Sequence, residues 1–201
     1  MFFSTKTDSQ TEWHYRAFDL LIAIPLAVVA IPVIAVIAIP TFFLVDHKVL
    51  FFQERFGRNL EVVKFVKIRS IKSVEAKNLD REFTAAEYSH LKDINRWGAF
   101  MRRYSLDELP QLFLVVSGKM SLVGPRPILQ NEFSHFDGSL IRIFSIKPGL
   151  TGYWQISGRK DLSWSDRENL DLLYLDNRSF RENLKVLVKT IPAVAFGRGA
   201  F

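Results

Sequence analysis

The chain has no cysteine, and this absence excludes several kinds of chemistry. None of its 201 residues is Cys, so it holds no disulfide, no thiolate zinc site and no cysteine nucleophile. The four histidines, at positions 14, 47, 90 and 135, are too widely spaced to indicate a metal cluster. A bound metal would therefore be a hard cation held by carboxylates and by the phosphate groups of a ligand, a description that Mg²⁺ fits best.

Acidic residues are in the minority. The chain has 21 acidic and 27 basic residues, which gives a net charge of +6, and its pI is near 9.6. This balance favours an anionic partner, such as nucleic acid, anionic lipid or a phosphorylated substrate. Nucleic acid is the least favoured of the three, because the sequence has no recognisable nucleic-acid-binding motif and its basic residues follow a membrane segment.

Charged residues are absent from Leu20–Val45, which is the strongest physical signal in the sequence. As a straight helix this segment would be roughly 39 Å long, whereas the hydrocarbon core of a bilayer is ~30 Å thick. Three prolines interrupt it, and a break at Pro32 would return the segment to the face it entered. Composition supports spanning and re-entrant forms about equally, and a buried hairpin in a soluble core less. Basic residues in Asp46–Lys72 place that side in the cytoplasm.

Short patterns predict a β-hairpin followed by helices. Val49–Phe52 and Glu61–Ile68 are rich in β-branched and aromatic residues and flank the turn-forming Gly57–Asn59. Ala85–Tyr104 has apolar residues at helical spacing, which is typical of a helix at a membrane surface and equally of a helix on an ordinary core. The remaining patterns predict a rigid loop at Ser121–Pro127, helices near Ile128–Phe136, Ser163–Leu175 and Arg181–Ile191, the last stopping at Pro192, and a strand at Tyr153–Ile156.

Asp107 and Glu108 lie at or just before the predicted start of another helix. Pro110 is well placed as the first residue of a helix that ends at Ser117. Alternatively, Ser105 and Glu108 form a capping box, and the helix bends at Pro110. In both interpretations the two carboxylates lie where backbone amides favour negative charge and phosphate.

Adjacent acids on a helix point about 100° apart, so Asp107 and Glu108 are better given separate roles. One carboxylate can attack phosphorus and form an aspartyl phosphate, while its neighbour holds Mg²⁺. Acids in a first helical turn are nevertheless more often simple dipole partners. Arg126, between two prolines, is a guanidinium on a stiff loop that suits bidentate phosphate contact. Three other basic residues have two interpretations each, as a phosphate ligand or as an ordinary solvated charge. They are Lys67, Arg102 and Arg159.

The most specific motifs are SLDELPQL at 105–112 and GKMSLVGPRP at 118–127. They are accompanied by Phe18, Asp19, Gln53–Arg58, Lys67–Ser70, Arg102, Lys147–Gly152, Gln155, Gly158, Arg159, Asp171 and Tyr174. Together these residues resemble the bacterial sugar transferases, the monotopic phosphoglycosyl transferases that act on polyprenyl phosphates. The resemblance covers roughly Ala17–Thr190.

The resemblance implies transfer of a phospho-sugar from a UDP-sugar to a polyprenyl phosphate such as undecaprenyl phosphate. UMP would be released, and the lipid-linked product would begin assembly of a membrane glycoconjugate such as an exopolysaccharide. Asp107 would be the nucleophile that carries an aspartyl-phosphosugar intermediate, and Glu108 would serve Mg²⁺ or the leaving group, with both acids as metal ligands. The implied phosphate and substrate ligands are Lys67, Arg102, Arg126, Gln155 and Arg159.

The resemblance also implies a re-entrant membrane helix broken at Pro32, with both of its ends in the cytoplasm. The expected organisation is a tail and interfacial anchor at 1–17, the re-entrant helix at 18–46 and a compact cytoplasmic phosphoglycosyl transferase domain at 47–201. The expected fold class is mainly α with a small β component, with amphipathic helices lying on the bilayer of the bacterial inner membrane. A homodimer is compatible with the sequence.

Three residues differ from the pattern of the family. Ile31 stands where many relatives have Ser before the break proline, and Leu114 stands where they usually have Asn. Asn183 replaces an Asp expected in the last helix, which removes a charge and would weaken metal binding or activity. This last difference leaves a second hypothesis, a catalytically impaired, membrane-attached binding or assembly protein on the same scaffold.

Overall fold

The fold is mainly helical with two small sheets, as predicted. A computed structural model describes residues 9–72, 95–133, 138–158 and 162–197. The α-helices are α1 Ser9–Leu44, α2 Arg96–Arg103, α3 Leu112–Val116, α4 Tyr153–Ser157, α5 Trp164–Asn177 and α6 Phe180–Ala195. The strands are β1 Leu50–Phe56, β2 Val62–Ile68, β3 Ser121–Val123, β4 Ile128–Leu129 and β5 Gly149–Thr151. Short 3₁₀ helices lie at Arg58–Leu60, Leu106–Gln111 and Gly138–Ser145.

Helix α1 is continuous through all three of its prolines. It begins at Ser9, within the stretch expected to be a loose tail. Helical structure does not stop at Pro32, so a break in the sense of a helix end is not found there. A proline inside a helix removes one amide donor and crowds one carbonyl, which bends the helix but leaves the flanking turns intact. By length and composition α1 is able to cross a membrane.

One narrow stripe of α1 packs on the rest of the protein. Its buried residues include Asp19, Ala23, Ala27 and Ala30, which are three or four positions apart, and Thr41 further along the helix. The alanines belong to the main core cluster, which also contains Val115, Leu122, Tyr174 and Val186. The other faces carry exposed apolar residues such as Leu21, Val29 and Phe43. This much exposed apolar surface suits contact with lipid.

The predicted β-hairpin is confirmed, but strands β3 and β4 lie where a loop and a helix are predicted. Strands β1 and β2 form the predicted antiparallel hairpin, from Leu50 opposite Ile68 to Phe56 opposite Val62, and β4 pairs with the other edge of β1. The predicted loop at 121–127 instead begins with β3, which pairs in parallel with β5. The predicted helix at 128–136 begins instead as β4. Parallel strands find partners far away in sequence, so local patterns do not reveal them.

Several helices begin at a residue whose side chain caps the first turn. The helix predicted at 163–175 is α5, and Ser163 caps its start in a capping box with Asp166. The predicted strand at 153–156 is instead helix α4. Helix α6 passes through Pro192 and ends at Ala195, because a proline near a helix end costs only one hydrogen bond. Asn95 caps α2, and the earlier part of the predicted helix at 85–104 lies outside the described residues.

The alanine stripe leads to a stability prediction. Ala23 is completely buried, so Ala23→Leu adds three carbons where α1 meets the core. Overpacking of this kind costs about 1–3 kcal/mol. We therefore expect the thermal midpoint of the purified protein in detergent to fall by several degrees. Val29→Leu, on the exposed face of the same helix, is the matched control and should leave the midpoint unchanged. Equal midpoints for the two variants would contradict this packing.

Candidate active site

One cavity of about 690 Å³ brings most of the predicted site residues together. Its polar wall includes six of them, namely Lys67, Arg102, Asp107, Glu108, Arg126 and Gln155. Its apolar wall comes from α1, from the core and from one face of α6, and contains Ile22, Leu26, Leu112, Leu122, Leu150, Leu184, Leu187, Val188, Ile191 and Val194. The cavity therefore suits a ligand that is anionic at one end and apolar at the other.

The two acids lie on a tight 3₁₀ helix, Leu106–Gln111, here called the acid turn. Ser105 precedes it in the left-handed region, with φ at 53°. This conformation is costly for a residue other than glycine and is often found at functional sites. Pro110 lies inside the acid turn, and the Ser105 side chain makes no capping hydrogen bond. The predicted helix start at Pro110 is therefore wrong. Helical structure does begin after Ser105, as in the alternative prediction, but without the capping box.

Asp107 is buried, with only 6% of its surface exposed. Burial raises the pKa of its carboxyl to about 6, and the negative charge of Glu108 acts in the same direction. The positive charges of Lys67 and Arg102 act against this rise. A carboxylate held in this way is poorly solvated, which favours its use as a nucleophile or as a ligand for a cation.

Glu108 is paired with Lys67. Lys67 extends from β2, and its Nζ lies 2.8 Å from Glu108 Oε1. Burial lowers the pKa of the Lys67 ammonium, whereas the Glu108 carboxylate raises it. The ion pair joins the β-hairpin to the acid turn and keeps a cation next to Asp107. Lys67, Glu108 and Asp107 therefore form one charged cluster at the wall of the cavity.

Four consecutive residues of the Pro-Arg-Pro loop, Gly124–Pro127, are fixed by hydrogen bonds from other elements. The Gly124 N–H donates to Thr151 O at 3.0 Å, and Gly149 N–H donates to Pro125 O at 2.8 Å. The Arg126 N–H donates to Asp171 Oδ2 at 3.2 Å. Arg55 Nη1 donates to Pro127 O at 3.0 Å. These hydrogen bonds make the loop at Gly124–Pro127 rigid. The predicted rigid loop is therefore confirmed for the residues that follow β3.

Close packing explains a glycine in this loop. A Cβ at Gly124 would lie 2.6 Å from Lys147 O, which real side chains do not allow. The backbone of the loop can therefore approach β5 only because Gly124 has no side chain.

The Arg126 guanidinium lies over the Trp154 ring, 4.4 Å from its centroid. Arg167 lies 5.0 Å from the same ring. Burial, together with the charge of Arg55, lowers the pKa of Arg126. A buried cation held against an aromatic face gains from an anionic ligand, since the anion offsets the lost hydration. Phosphate at the cavity wall meets this requirement.

Sequence reasoning missed the roles of Trp154 and Asp171. Trp154 lies on α4, not on the predicted strand, and its ring faces the Arg126 guanidinium. Asp171 is buried, and burial raises its pKa to about 7. The sequence does contain a signal for Asp171. It lies three residues before Tyr174, so both side chains are on the same face of the helix.

The remaining predicted residues fall in three places. Arg102, in the last turn of α2, and Gln155, on α4, line the cavity. Arg159 lies outside the described residues. Asn183 is buried in the core, where Tyr174 Oη donates to its Oδ1 at 2.8 Å. It is not among the described residues that line the cavity.

Two carboxylates are available to a metal ion in the cavity. Within the described ranges, no group of three or more His, Asp or Glu side chains could hold a metal. Mg²⁺ is often held by one or two carboxylates together with phosphate oxygens and water. Asp107 and Glu108 therefore fit a Mg²⁺ ion that arrives with a diphosphate better than a permanently bound ion.

The family model of the bacterial sugar transferases matches residues 10–197. The exopolysaccharide production protein ExoY of Sinorhizobium fredii is 35% identical over 198 residues, covering 92% of this chain and 87% of the relative. The undecaprenyl-phosphate galactose phosphotransferase of Salmonella typhimurium is 33% identical over 205 residues, covering 92% of this chain.

The UDP-galactose-lipid carrier transferase of Erwinia amylovora is 38% identical over 201 residues. This chain spans only 41% of that relative, and 41% of the Salmonella protein, so both are longer proteins that contain a similar region. A family match that covers nearly the whole chain, on residues that the fold assembles into one cavity, makes this chain a member of the bacterial sugar transferase family.

Proposed function

We propose that the protein transfers a phospho-sugar from a UDP-sugar to a polyprenyl phosphate at the cytoplasmic face of the inner membrane. The observation that carries this proposal is the pairing of a buried carboxylate, Asp107, with cations and an apolar wall in one cavity. The relatives named as undecaprenyl-phosphate and lipid-carrier transferases support the same substrate classes. The reaction would begin the assembly of a glycoconjugate such as an exopolysaccharide.

In the first half-reaction, an oxygen of the Asp107 carboxylate attacks the β-phosphorus of the UDP-sugar. A bond forms between this oxygen and phosphorus, and the bond to the bridging oxygen breaks, so that UMP leaves with the electron pair. The enzyme then carries the phospho-sugar on Asp107. Lys67, Arg102 and Arg126 lie at the same wall and offset the negative charge of the phosphates.

Asp107 and Glu108 would hold Mg²⁺ together with the diphosphate, and the ion would neutralise charge on the leaving group. Glu108 has a second task, since its ion pair with Lys67 fixes the cation beside the attacking carboxylate.

In the second half-reaction, an oxygen of the lipid phosphate attacks the same phosphorus. The bond to Asp107 breaks, which regenerates the free carboxylate and leaves a diphosphate-linked sugar on the lipid. Both attacking oxygens are anionic, so the cationic wall serves each step in turn.

Contacts at both ends of α1 support a re-entrant helix with both ends in the cytoplasm. Near its start, Glu12 Oε1 lies 2.6 Å from Arg178 Nη1. Near its end, Trp97 Nε1 donates to Thr41 Oγ1 at 3.0 Å, and Asn95 donates to the Leu44 carbonyl. A straight helix from Glu12 to Leu44 would extend about 48 Å, enough to put its ends on opposite sides of a bilayer. Contact of both ends with one domain favours a bend at the prolines instead.

The non-catalytic alternative gains no support from the position of Asn183. That hypothesis requires Asn183 to have removed a metal ligand from the site. Its side chain instead contacts Tyr174 in the core between α5 and α6.

The first prediction concerns the nucleophile. Asp107→Asn should lower UMP release from a UDP-sugar, measured with Mg²⁺ and undecaprenyl phosphate across a panel of UDP-sugars, by at least about 10³-fold. Because burial disfavours the charged carboxylate, the variant should keep or raise the thermal midpoint at pH 7.5. Asp176→Asn, which changes an exposed acid on α5, is the matched control. Normal turnover by Asp107→Asn would end this assignment.

The second prediction concerns pH. Only the Asp107 carboxylate attacks, and its pKa is about 6, so the rate should rise with pH through about 6 and then level off. Lys67→Gln removes a positive charge that lowers this pKa, and the rise should therefore move to higher pH by about one unit. Lys64→Gln, an exposed lysine on the same strand, should leave the profile in place. A rise at unchanged pH in Lys67→Gln would show that Asp107 does not limit the rate.

The third prediction concerns topology, and the absence of native cysteine makes it simple to test. Trp13→Cys, at a position 58% exposed in α1, should resist a membrane-impermeant maleimide in intact cells and react after permeabilisation. Ser165→Cys in the domain should behave identically. Labelling of Trp13→Cys alone in intact cells would mean that α1 spans the membrane.

A further inference from the structure

Two basic residues from distant parts of the chain meet beside the end of helix α3. Arg16 lies on α1, and its Nη1 and Nη2 donate to the carbonyl oxygens of Val115 and Val116, the last two residues of α3. Carbonyl oxygens at the end of a helix attract a cation. The Arg16 guanidinium is therefore held in place next to Gly118, away from its own helix.

Gly118 leaves a gap between Arg16 and Lys147. Its φ is 81°, in the left-handed region that favours glycine. A Cβ at this position would lie 3.5 Å from Arg16 Nη2 and 3.7 Å from Lys147 Nζ, so both cationic groups flank one point. All three residues are partly exposed, and a ligand can therefore reach that point. Arg16 and Lys147 are here called the cation pair.

The nearby carboxylates are engaged with other groups. Asp19 is 3% exposed, and its Oδ1 accepts the Leu122 N–H at 3.0 Å. Glu12 Oε1 lies 2.6 Å from Arg178 Nη1, and Glu12 Oε2 lies 3.7 Å from Arg58 Nη1. In the part of the chain that the structure describes, neither member of the cation pair forms an ion pair with a carboxylate.

An anion between the two cations would relieve their repulsion. Burial lowers the pKa of the Lys147 ammonium, and the charge of Arg16 acts in the same direction. A phosphate group at this point could accept hydrogen bonds from both side chains, and such charge-assisted bonds are strong. The surroundings are also positive overall, since four basic and two acidic side chains lie together: Arg16, Arg58, Lys147, Arg178, Glu12 and Asp19.

The cation pair lies at the charged end of the apolar helix. Arg16 is four residues before Leu20, where the uncharged stretch of α1 begins, and four residues of helix span about 6 Å. Trp13, on the preceding turn, is 58% exposed. Tryptophan and basic residues that flank an apolar helix are typical of the head-group region of a bilayer. The cation pair is therefore at the depth of lipid phosphates.

We propose that the cation pair binds the phosphodiester of an anionic phospholipid of the bilayer, such as phosphatidylglycerol. This site is separate from the active site, because neither Arg16 nor Lys147 is among the described residues that line the cavity. The head group of phosphatidylcholine carries its own cation, which the positive surroundings of the site disfavour. The bound lipid would fix the depth at which α1 enters the bilayer, whatever reaction the cavity performs.

Native mass spectrometry of the full chain, released from a neutral detergent with added phospholipid, tests this proposal. Phosphatidylglycerol should bind about fivefold or more tightly than phosphatidylcholine, and Lys147→Gln should weaken its binding about fivefold. Lys147→Arg keeps the positive charge and should bind phosphatidylglycerol like the unaltered protein. Lys64→Gln, which changes an exposed lysine on β2, is the matched control and should also bind normally.

The thermal midpoint gives an independent measurement. A lipid that binds the folded protein raises the midpoint. Phosphatidylglycerol should therefore raise it in the unaltered protein, in Lys147→Arg and in Lys64→Gln, and raise it less in Lys147→Gln. Without added lipid all four proteins should have the same midpoint, because Lys147 is partly exposed and forms no ion pair with a described residue.

Two further ligands identify the source of the phosphate. Inorganic phosphate at the concentration of the lipid should not displace phosphatidylglycerol, and undecaprenyl phosphate should bind equally to Lys147→Gln and to the unaltered protein. Displacement by inorganic phosphate would indicate a site for free anions, and weaker binding of undecaprenyl phosphate to Lys147→Gln a site for the acceptor. Either result would overturn the proposal, as would equal binding of the two phospholipids or unchanged binding of phosphatidylglycerol to Lys147→Gln.

Discussion

The packing of one alanine stripe of α1 against the domain core is the constraint on which the rest of the structure depends. Ala23, Ala27 and Ala30 share a single apolar cluster with residues from β2, β3, α5 and α6. Small side chains at this contact let the helix axis approach closely, while the larger residues of α1 face outward. A helix that is part of the core in this way cannot move independently of the cavity, because Ile22 and Leu26 of α1 also line it. The position of the cavity is consequently fixed relative to the exposed apolar faces of α1.

The charges of the site are balanced across several elements. Asp107 and Glu108 are adjacent, which would disfavour two negative charges, but Lys67 from β2 pairs with Glu108 at 2.8 Å. Arg126 is a partly buried cation beside Arg55, so its positive charge is disfavoured. The Trp154 ring and the Asp171 carboxylate partly compensate for this. Cations held near buried acids by a rigid scaffold offer phosphate a site that needs little reorganisation. Preorganisation of this kind also accounts for the tolerated strain at Ser105.

The elements that were predicted correctly are those that depend on residues close together in the sequence. The β-hairpin, helix α5 and the apolar character of helix α1 follow from alternation, helical periodicity and hydropathy, and the fold bears them out. The β3–β5 pair, which creates the rigid loop, joins strands about 28 residues apart and leaves no local signal. Arg126 was recognised because two prolines flank it, whereas its supports Trp154 and Asp171 come from separate helices. The acids were identified by motif, but the 3₁₀ geometry that holds them depends on the neighbouring β2 and α3.

Asn183 illustrates why a missing charge need not mean a missing function. In the core, Tyr174 Oη needs an acceptor, and Asn183 Oδ1 provides one at 2.8 Å, with Val123 O at 3.1 Å. An amide supplies the same oxygen as a carboxylate at this position without the cost of burying a charge. The hydrogen bond joins α5 to α6, and α5 carries Asp171 while α6 lines the cavity with Leu184, Leu187 and Val188. The contact therefore helps to fix these parts of the site relative to each other.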